Sequence, residues 1–201
     1  GSVLPETEML EKAASTGKLS VGFERVISLA DHPFLASHVM NGRAVLPTAM
    51  IIEWLGHAVL HNHPGLLLHG FDNLKILKGV ILRKTETIRL QAMVGDAVKE
   101  GKAYRVPVEL QSLDASGKLT RHASAEFILA GKLPRGERAI DESGLRLLPY
   151  TGGDIYQKFL FHGDALHGIQ HVEGCSSDGI AANAQAAPTP SAWMSHPMRQ
   201  H

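Results

Sequence analysis

The strongest constraint on the fold lies between Thr48 and Asn62, where Met50, Ile51, Trp54, Leu55, Ala58 and Val59 recur at helical spacing while Ile52 and Leu60 widen the apolar surface around most of the circumference. A helix apolar on nearly every side has to be wrapped by other elements rather than laid on a surface. Thr48 is positioned as an N-cap, and His63-Pro64-Gly65 supplies the stop.

The chain around this helix reads as strands. Residues 18–30 place Val21, Phe23, Ile27 and Leu29 at alternating positions, and His32-Pro33-Phe34-Leu35 is too short and proline-broken to be more than a loop or single turn. After the helix come four strand-like runs, 74–82, 86–94, 102–113 and 118–129. They are separated by Gly95-Asp96, Gly101 and Asp114-Ala-Ser-Gly117, which are hairpin signals. One buried helix followed by an antiparallel meander predicts an α+β domain with a sheet curled around the helix. The expected organisation is a lead-in over 1–17, a first unit over 18–131, a linker over 132–149 where periodicity is lost, and a second unit starting at 150 and running to 201. In the second unit, 154–160 reads as a short helix, 161–174 as a turn and strand start, and 180–190 as a strand or loop.

Twenty basic and twenty acidic side chains leave a formal net charge of zero, which argues against a nucleic-acid or anionic-membrane partner. The single cysteine, Cys175, excludes an internal disulfide, and neither a secretory leader nor a membrane-spanning run is visible, so cytoplasmic localisation is expected. Gly1-Ser2 reads as a cloning remnant, and the natural protein is expected to continue beyond residue 201.

Chemistry concentrates in His38-Val-Met-Asn-Gly42-Arg-Ala-Val-Leu-Pro47. An imidazole titrating near neutrality can take a proton from carbon, and a glycine lets a substrate carbonyl approach a backbone N–H. A base and an N–H donor are two of the three parts an α,β-elimination needs; the third is an acid that protonates the departing hydroxyl. Val39, Val45, Leu46 and Ile51 are consistent with an apolar tunnel around the motif. Each residue also has an ordinary use: a lone histidine is more often structural, Gly42 suits any turn, and Pro47 suits any helix start. Their value is joint.

With His32-Pro-Phe-Leu35, this motif and the apolar helix carrying Glu53, the chain resembles the dehydratase domains of polyketide and polyunsaturated-fatty-acid synthases. That resemblance implies a hot-dog fold and, through the stretch Ile155-Tyr156 to Gly168-Ile169, the beginning of a second hot dog. It implies a 3-hydroxyacyl-thioester dehydratase that eliminates water from a chain carried on the phosphopantetheine arm of an acyl carrier protein. No bound cofactor or metal is implied, and the partners are the carrier protein and the other synthase domains. His38 would be catalytic, with Gly42, Pro47 and Tyr156 at the substrate. Two departures stand out: Thr48 replaces the family's glycine after the proline, and the family's second catalytic residue, an aspartate in an Asp-Ala-x-x-Gln run, is expected to lie past the end of this chain. Asp164-Ala165-Leu166 imitates that run without its glutamine.

Glu53 stands six residues after Pro47. Single-hot-dog 3-hydroxyacyl carrier-protein dehydratases are similar here, and in them this glutamate acts across a dimer. A homodimer pairing His38 with the other subunit's Glu53 is therefore one arrangement, and a structural hydrogen bond is the plainer use. The alternative function is a non-catalytic hot-dog fragment that binds or dimerises. A hot-dog thioesterase fits less well, since it uses a carboxylate and water. His57, His61 and His63 suggest a metal only weakly, because no cysteine or carboxylate completes a set. His162, His167 and His171 read as solvated, Trp54 as core and Trp193 as surface packing.

Overall fold

The computed structural model describes residues 18–114, 116–136, 146, 152–177, 179–189 and 192. The expected lead-in, most of the linker and Trp193 lie outside them. The chain divides into two compact units, one formed by residues 1–26, 48–79 and 89–134, the other by 27–47, 80–88 and 135–201. The boundary expected near residue 131 is thus only part of the division, because two earlier stretches belong with the C-terminal one.

The first unit is a helix on a sheet. Helix α1 (Thr48–Asn62) starts at Thr48 itself and stops before His63, whose N–H donates to the Leu60 carbonyl at 3.2 Å. It buries Ile51, Trp54, Leu55, Gly56, Ala58 and Val59, whereas Glu53 and His61 are exposed. Its sheet has the order β1 (Ser20–Ile27), β6 (Ile88–Val94), β8 (Ala103–Leu113), β9 (Leu119–Ala130), β4 (Leu67–Ile76), with β7 (Val98–Glu100) pairing on β8. Alternation decides the buried face: Leu90, Ala92 and Val94 on β6, Val106, Val108 and Leu110 on β8, and Ala123, Ala125, Phe127 and Leu129 on β9 are all buried. The opposite face carries charge, with Arg105 bound to Asp72, Glu100 and Glu126, and Arg121 bound to Glu109. A Cβ on Gly56 would come within 3.1 Å of the Phe127 ring, so this glycine sets how closely α1 approaches the sheet.

One expected strand is misplaced. The run at 74–82 is broken in two, because the Leu77 and Lys78 N–H groups turn to the His122 carbonyl at 2.8 and 3.1 Å. The pairing strand β4 starts earlier, at Leu67. Its alternation is hidden by two irregularities, between Leu68 and Gly70 and between Asp72 and Lys75, with Asn73 at φ 54°. The turns at Gly101 and Gly117 match their hairpin signals, with φ of 61° and 80°.

The second unit holds a three-stranded sheet of β2 (Val39–Met40), β3 (Arg43–Val45) and β5 (Ile81–Leu82), preceded by a 3₁₀ turn over Pro33–Ser37 that buries Phe34 and Leu35. The same unit contains helix α2 (Gly152–Lys158), a 3₁₀ turn over Asp164–Leu166, and the antiparallel pair β10 (Ile169–Cys175) and β11 (Ile180–Ala184).

Candidate active site

His38 sits between the 3₁₀ turn and β2. Its N–H donates to the Leu35 carbonyl at 3.1 Å, and its own carbonyl accepts from the Val45 N–H at 3.0 Å. The ring is half-buried, and Nδ1 lies 2.8 Å from the Val45 carbonyl oxygen. A carbonyl can only accept, so in the neutral ring Nδ1 carries the hydrogen and the lone pair is left on Nε2. The hairpin therefore fixes both the orientation of the imidazole and its tautomer.

What makes the hairpin possible is Asn41-Gly42. Met40 pairs with Arg43 and Val39 with Ala44, so these two residues alone form the loop, and both have positive φ, 51° and 73°. That is the signature of a type I′ turn, which asparagine followed by glycine supplies at least cost. Gly42 is exposed at this tip, where the turn requires its positive φ and its N–H is not used in the pairing of β2 with β3. Pro47 is buried directly ahead of α1, while the Leu46 N–H is held by the Val80 carbonyl at 2.9 Å. Val39 is exposed, whereas Leu46 and Ile51 are buried.

The C-terminal stretch reaches this histidine through Ser37. The Gly163 N–H donates to the Ser37 carbonyl at 2.7 Å and the Ala165 N–H to Ser37 Oγ at 3.3 Å. A Cβ on Gly163 would lie 3.0 Å from Ser37 Oγ and 3.1 Å from its Cα, so a larger residue would press the two segments apart by a few tenths of an ångström. This contact delivers Phe161, edge-on to His38 with ring centroids 5.1 Å apart, and His162, tilted against His38 at 5.4 Å. Phe161 and His162 stack on each other at 4.4 Å.

Tyr156 supports the same stretch from behind. Its hydroxyl accepts the Ile169 N–H at 2.8 Å, and its ring stacks on His167 with centroids 3.8 Å apart. His167 Nε2 in turn donates to the His162 carbonyl at 2.9 Å. Tyr156 is thus three contacts removed from His38, bracing the loop. The expectation that His162 is solvated is corrected: the residue is half-buried, and its Nδ1 is buried without a hydrogen-bond partner among the described residues. Burial first, then the neighbouring His38 and His167, hold its pKa below the ordinary histidine value. No spacing in the sequence joins residue 162 to residue 38, and the only local hint is the glycine that follows it.

Glu53 is exposed on α1. Asp164, the imitator of the second-half motif, is fully exposed and lies 3.8 Å from His167. His57 and His61 stack with ring centroids 6.4 Å apart, and His63 Nδ1 bonds the Val59 carbonyl at 2.8 Å. Among the described residues no group of three histidine, cysteine or carboxylate side chains comes together to hold a metal, and no helix is long and apolar enough to cross a membrane.

The family model described as "Polyketide synthase dehydratase domain" matches residues 3–110. The chain belongs to the polyketide synthase dehydratase domain family. Within that family it is 31% identical over 175 residues to a polyunsaturated fatty acid synthase polypeptide of Thraustochytrium sp., covering 86% of this chain and 6% of that protein. A trans-AT polyketide synthase dehydratase domain from Brevibacillus brevis superposes with a TM-score of 0.64 at 20% identity, over 89% of this chain and 68% of that one. The inactive His-to-Phe variant of the curacin CurK dehydratase superposes at 0.57 with 18% identity, over 75% of this chain and 53% of that one. An Asp-to-Asn variant of the same dehydratase is also inactive. The chain therefore carries the hot-dog architecture of these dehydratases and spans little more than half of the curacin domain.

Proposed function

We propose that this chain supplies the histidine part of a 3-hydroxyacyl-thioester dehydratase, acting on a substrate carried by the phosphopantetheine arm of an acyl carrier protein within a larger synthase. The observation that carries this reading is the Nδ1 contact of His38 with the Val45 carbonyl, which in the neutral ring leaves the lone pair on Nε2, in a fixed orientation, to act as base. Nε2 takes the α-proton, and the electron pair of the broken C–H bond is held as an enolate, with the Gly42 N–H as its donor. The enolate electrons then form the α,β double bond as the β C–O bond breaks. A carboxylic acid gives its proton to the leaving hydroxyl, which departs as water, and return of the proton from His38 to the carboxylate closes the cycle.

The acid in this scheme is either the second-half aspartate of the family pattern or Glu53 supplied by a second copy of the chain. Proton transfers among side chains suffice for the elimination, so the reaction draws on no further cofactor. Pro47 keeps the buried start of α1 next to the motif in sequence, and Tyr156 acts on substrate only through the loop it braces.

The test is elimination from a 3-hydroxyacyl pantetheine thioester by this chain joined to the second-half segment that carries the family's aspartate. His38→Gln is expected to lower turnover by about 10²–10⁴-fold, and unchanged turnover refutes the assignment. Run beside it, Glu53→Gln places the acid: loss of turnover assigns it to Glu53, and retention assigns it to the second half.

A further inference from the structure

Three cations leave the small sheet of the second unit at one end. Ala44 of β3 pairs with Leu82 of β5, so Arg43 and Arg83, the next residues outward on the two strands, emerge side by side. Lys84 follows in a turn closed by the Glu86 N–H on the Arg83 carbonyl at 3.1 Å. All three are exposed. Among the described residues none of them forms an ion pair, not even with Glu86, whereas Arg89, Arg105 and Arg121 of the large sheet each meet a carboxylate.

Like charges at neighbouring strand positions repel, so this grouping does not serve the stability of the sheet. It suits an anion brought from outside, and two guanidinium forks with an ammonium are the donors that hold a phosphate. Distance from the base narrows the choice. The His38 carbonyl accepts the Val45 N–H at 3.0 Å, and Val45 pairs with Ile81, which sets the level of the base on the sheet. From there Arg43 and Arg83 lie two residues outward and Lys84 three, about 7–10 Å along the strands. Their side chains add roughly 6–7 Å of reach, and an extended phosphopantetheine arm spans roughly 16 Å from sulfur to phosphorus, counting bonds of about 1.5 Å.

The geometry points to Arg43, Arg83 and Lys84 as a recognition site for the 4′-phosphate of the phosphopantetheine arm, holding the far end of the substrate while His38 works at the near end. This inference rests on the dehydratase reading and adds a binding site to it. The three cations touch no reacting atom. They draw the arm from solution and hold it, so they act on KM rather than on the proton transfer.

The experiment compares a 3-hydroxyacyl pantetheine thioester with its 4′-phosphorylated form, using the chain joined to the second-half segment. The readout is the ratio of the two kcat/KM values. Charge-assisted hydrogen bonds to the phosphate predict a ratio of about tenfold in favour of the phosphorylated thioester, carried by KM. The combined variant Arg43→Gln, Arg83→Gln, Lys84→Gln is expected to bring the ratio within about twofold of unity. A matched variant, Lys75→Gln, Lys99→Gln, Lys102→Gln, removes the same charge from exposed positions of the first unit and is expected to keep it. In the unsubstituted protein, salt at about 1 M shortens the screening length to about 3 Å and should abolish the preference, a readout independent of how the variants fold. Equal kcat/KM for the two thioesters, a preference that survives high salt or the first variant, or equal loss in both variants overturns the inference and leaves the dehydratase reading standing. A protein that eliminates from neither thioester overturns both.

Discussion

Replacing Gly163 probes how the loop reaches the histidine. The residue has extended backbone, φ −81° and ψ 177°, so alanine or valine can adopt its conformation without strain and only space is at issue. A Cβ there meets Ser37 Oγ at 3.0 Å and the Ser37 Cα and Cβ at 3.1 Å. Ser37 Cα belongs to the backbone that leads straight into His38, so relief has to come from separating the two segments. Overpacking of this kind costs about 1–3 kcal/mol, and the 2.7 Å bond from the Gly163 N–H to Ser37 lengthens with it. Gly163→Ala is expected at the lower end of that range and Gly163→Val at the upper. For chains of this size 1 kcal/mol corresponds to about 2–4 °C in Tm, so valine should lower Tm by about 6–12 °C. Turnover should fall further than stability suggests, since a misplacement of about 1 Å near the reacting atoms can cost about 10²-fold. Gly168→Ala is the control, because its Cβ would meet only the Gln185 carbonyl oxygen at an ordinary 3.5 Å. Thermal unfolding and a thioester elimination assay on the three variants check this. If Gly163→Val matches Gly168→Ala in both, the close approach at Ser37 does not position the site.

Two further outcomes concern stability. His122 donates from Nδ1 to the Lys78 carbonyl at 2.9 Å and accepts at Nε2 from Ser112 Oγ at 2.8 Å, and burial holds its pKa below the ordinary value. The unfolded chain therefore binds this proton first, and stability is lost as pH falls from about 6.5 toward the lower folded value, by at most about 1.4 kcal/mol per pH unit. His122→Gln should flatten that part of a denaturant-midpoint against pH curve, and an unaltered slope would remove His122 as its cause. Gly22→Ala would place a methyl 2.7 Å from Val94 Cγ2, 2.9 Å from Asn62 Nδ2 and 3.1 Å from Ala58 Cβ, so the strand or its neighbours must shift. It should cost about 1–3 kcal/mol in urea unfolding, and a neutral result would show that β1 shifts freely.

Much of the first unit is legible in the sequence because its physics is local. The apolar period of α1, its His63-Pro64-Gly65 stop and the strict alternation along β6, β8 and β9 each fix an element from neighbouring residues alone. Strand β4 is harder to place because Gly70, Asp72 and Asn73 interrupt its pattern at the irregularities that let it follow β9. The short strands β2 and β3 escape notice although Asn41-Gly42 is a strong hairpin signal, since two or three residues on each side offer no alternation to read. His38 stands out through its spacing to Gly42 and Pro47. Its tautomer does not, because that depends on a carbonyl brought back by the hairpin, and His162 does not, because its position is decided by a bond from Gly163 to Ser37.

That last bond joins residues more than a hundred positions apart, so in the newly made chain the imidazole emerges long before the side chains that will surround it. Closing so large a loop is entropically slow. The hairpin that pins the imidazole is closed by residues close in sequence and needs no such closure, so the base can take its orientation before Phe161 and His162 reach it.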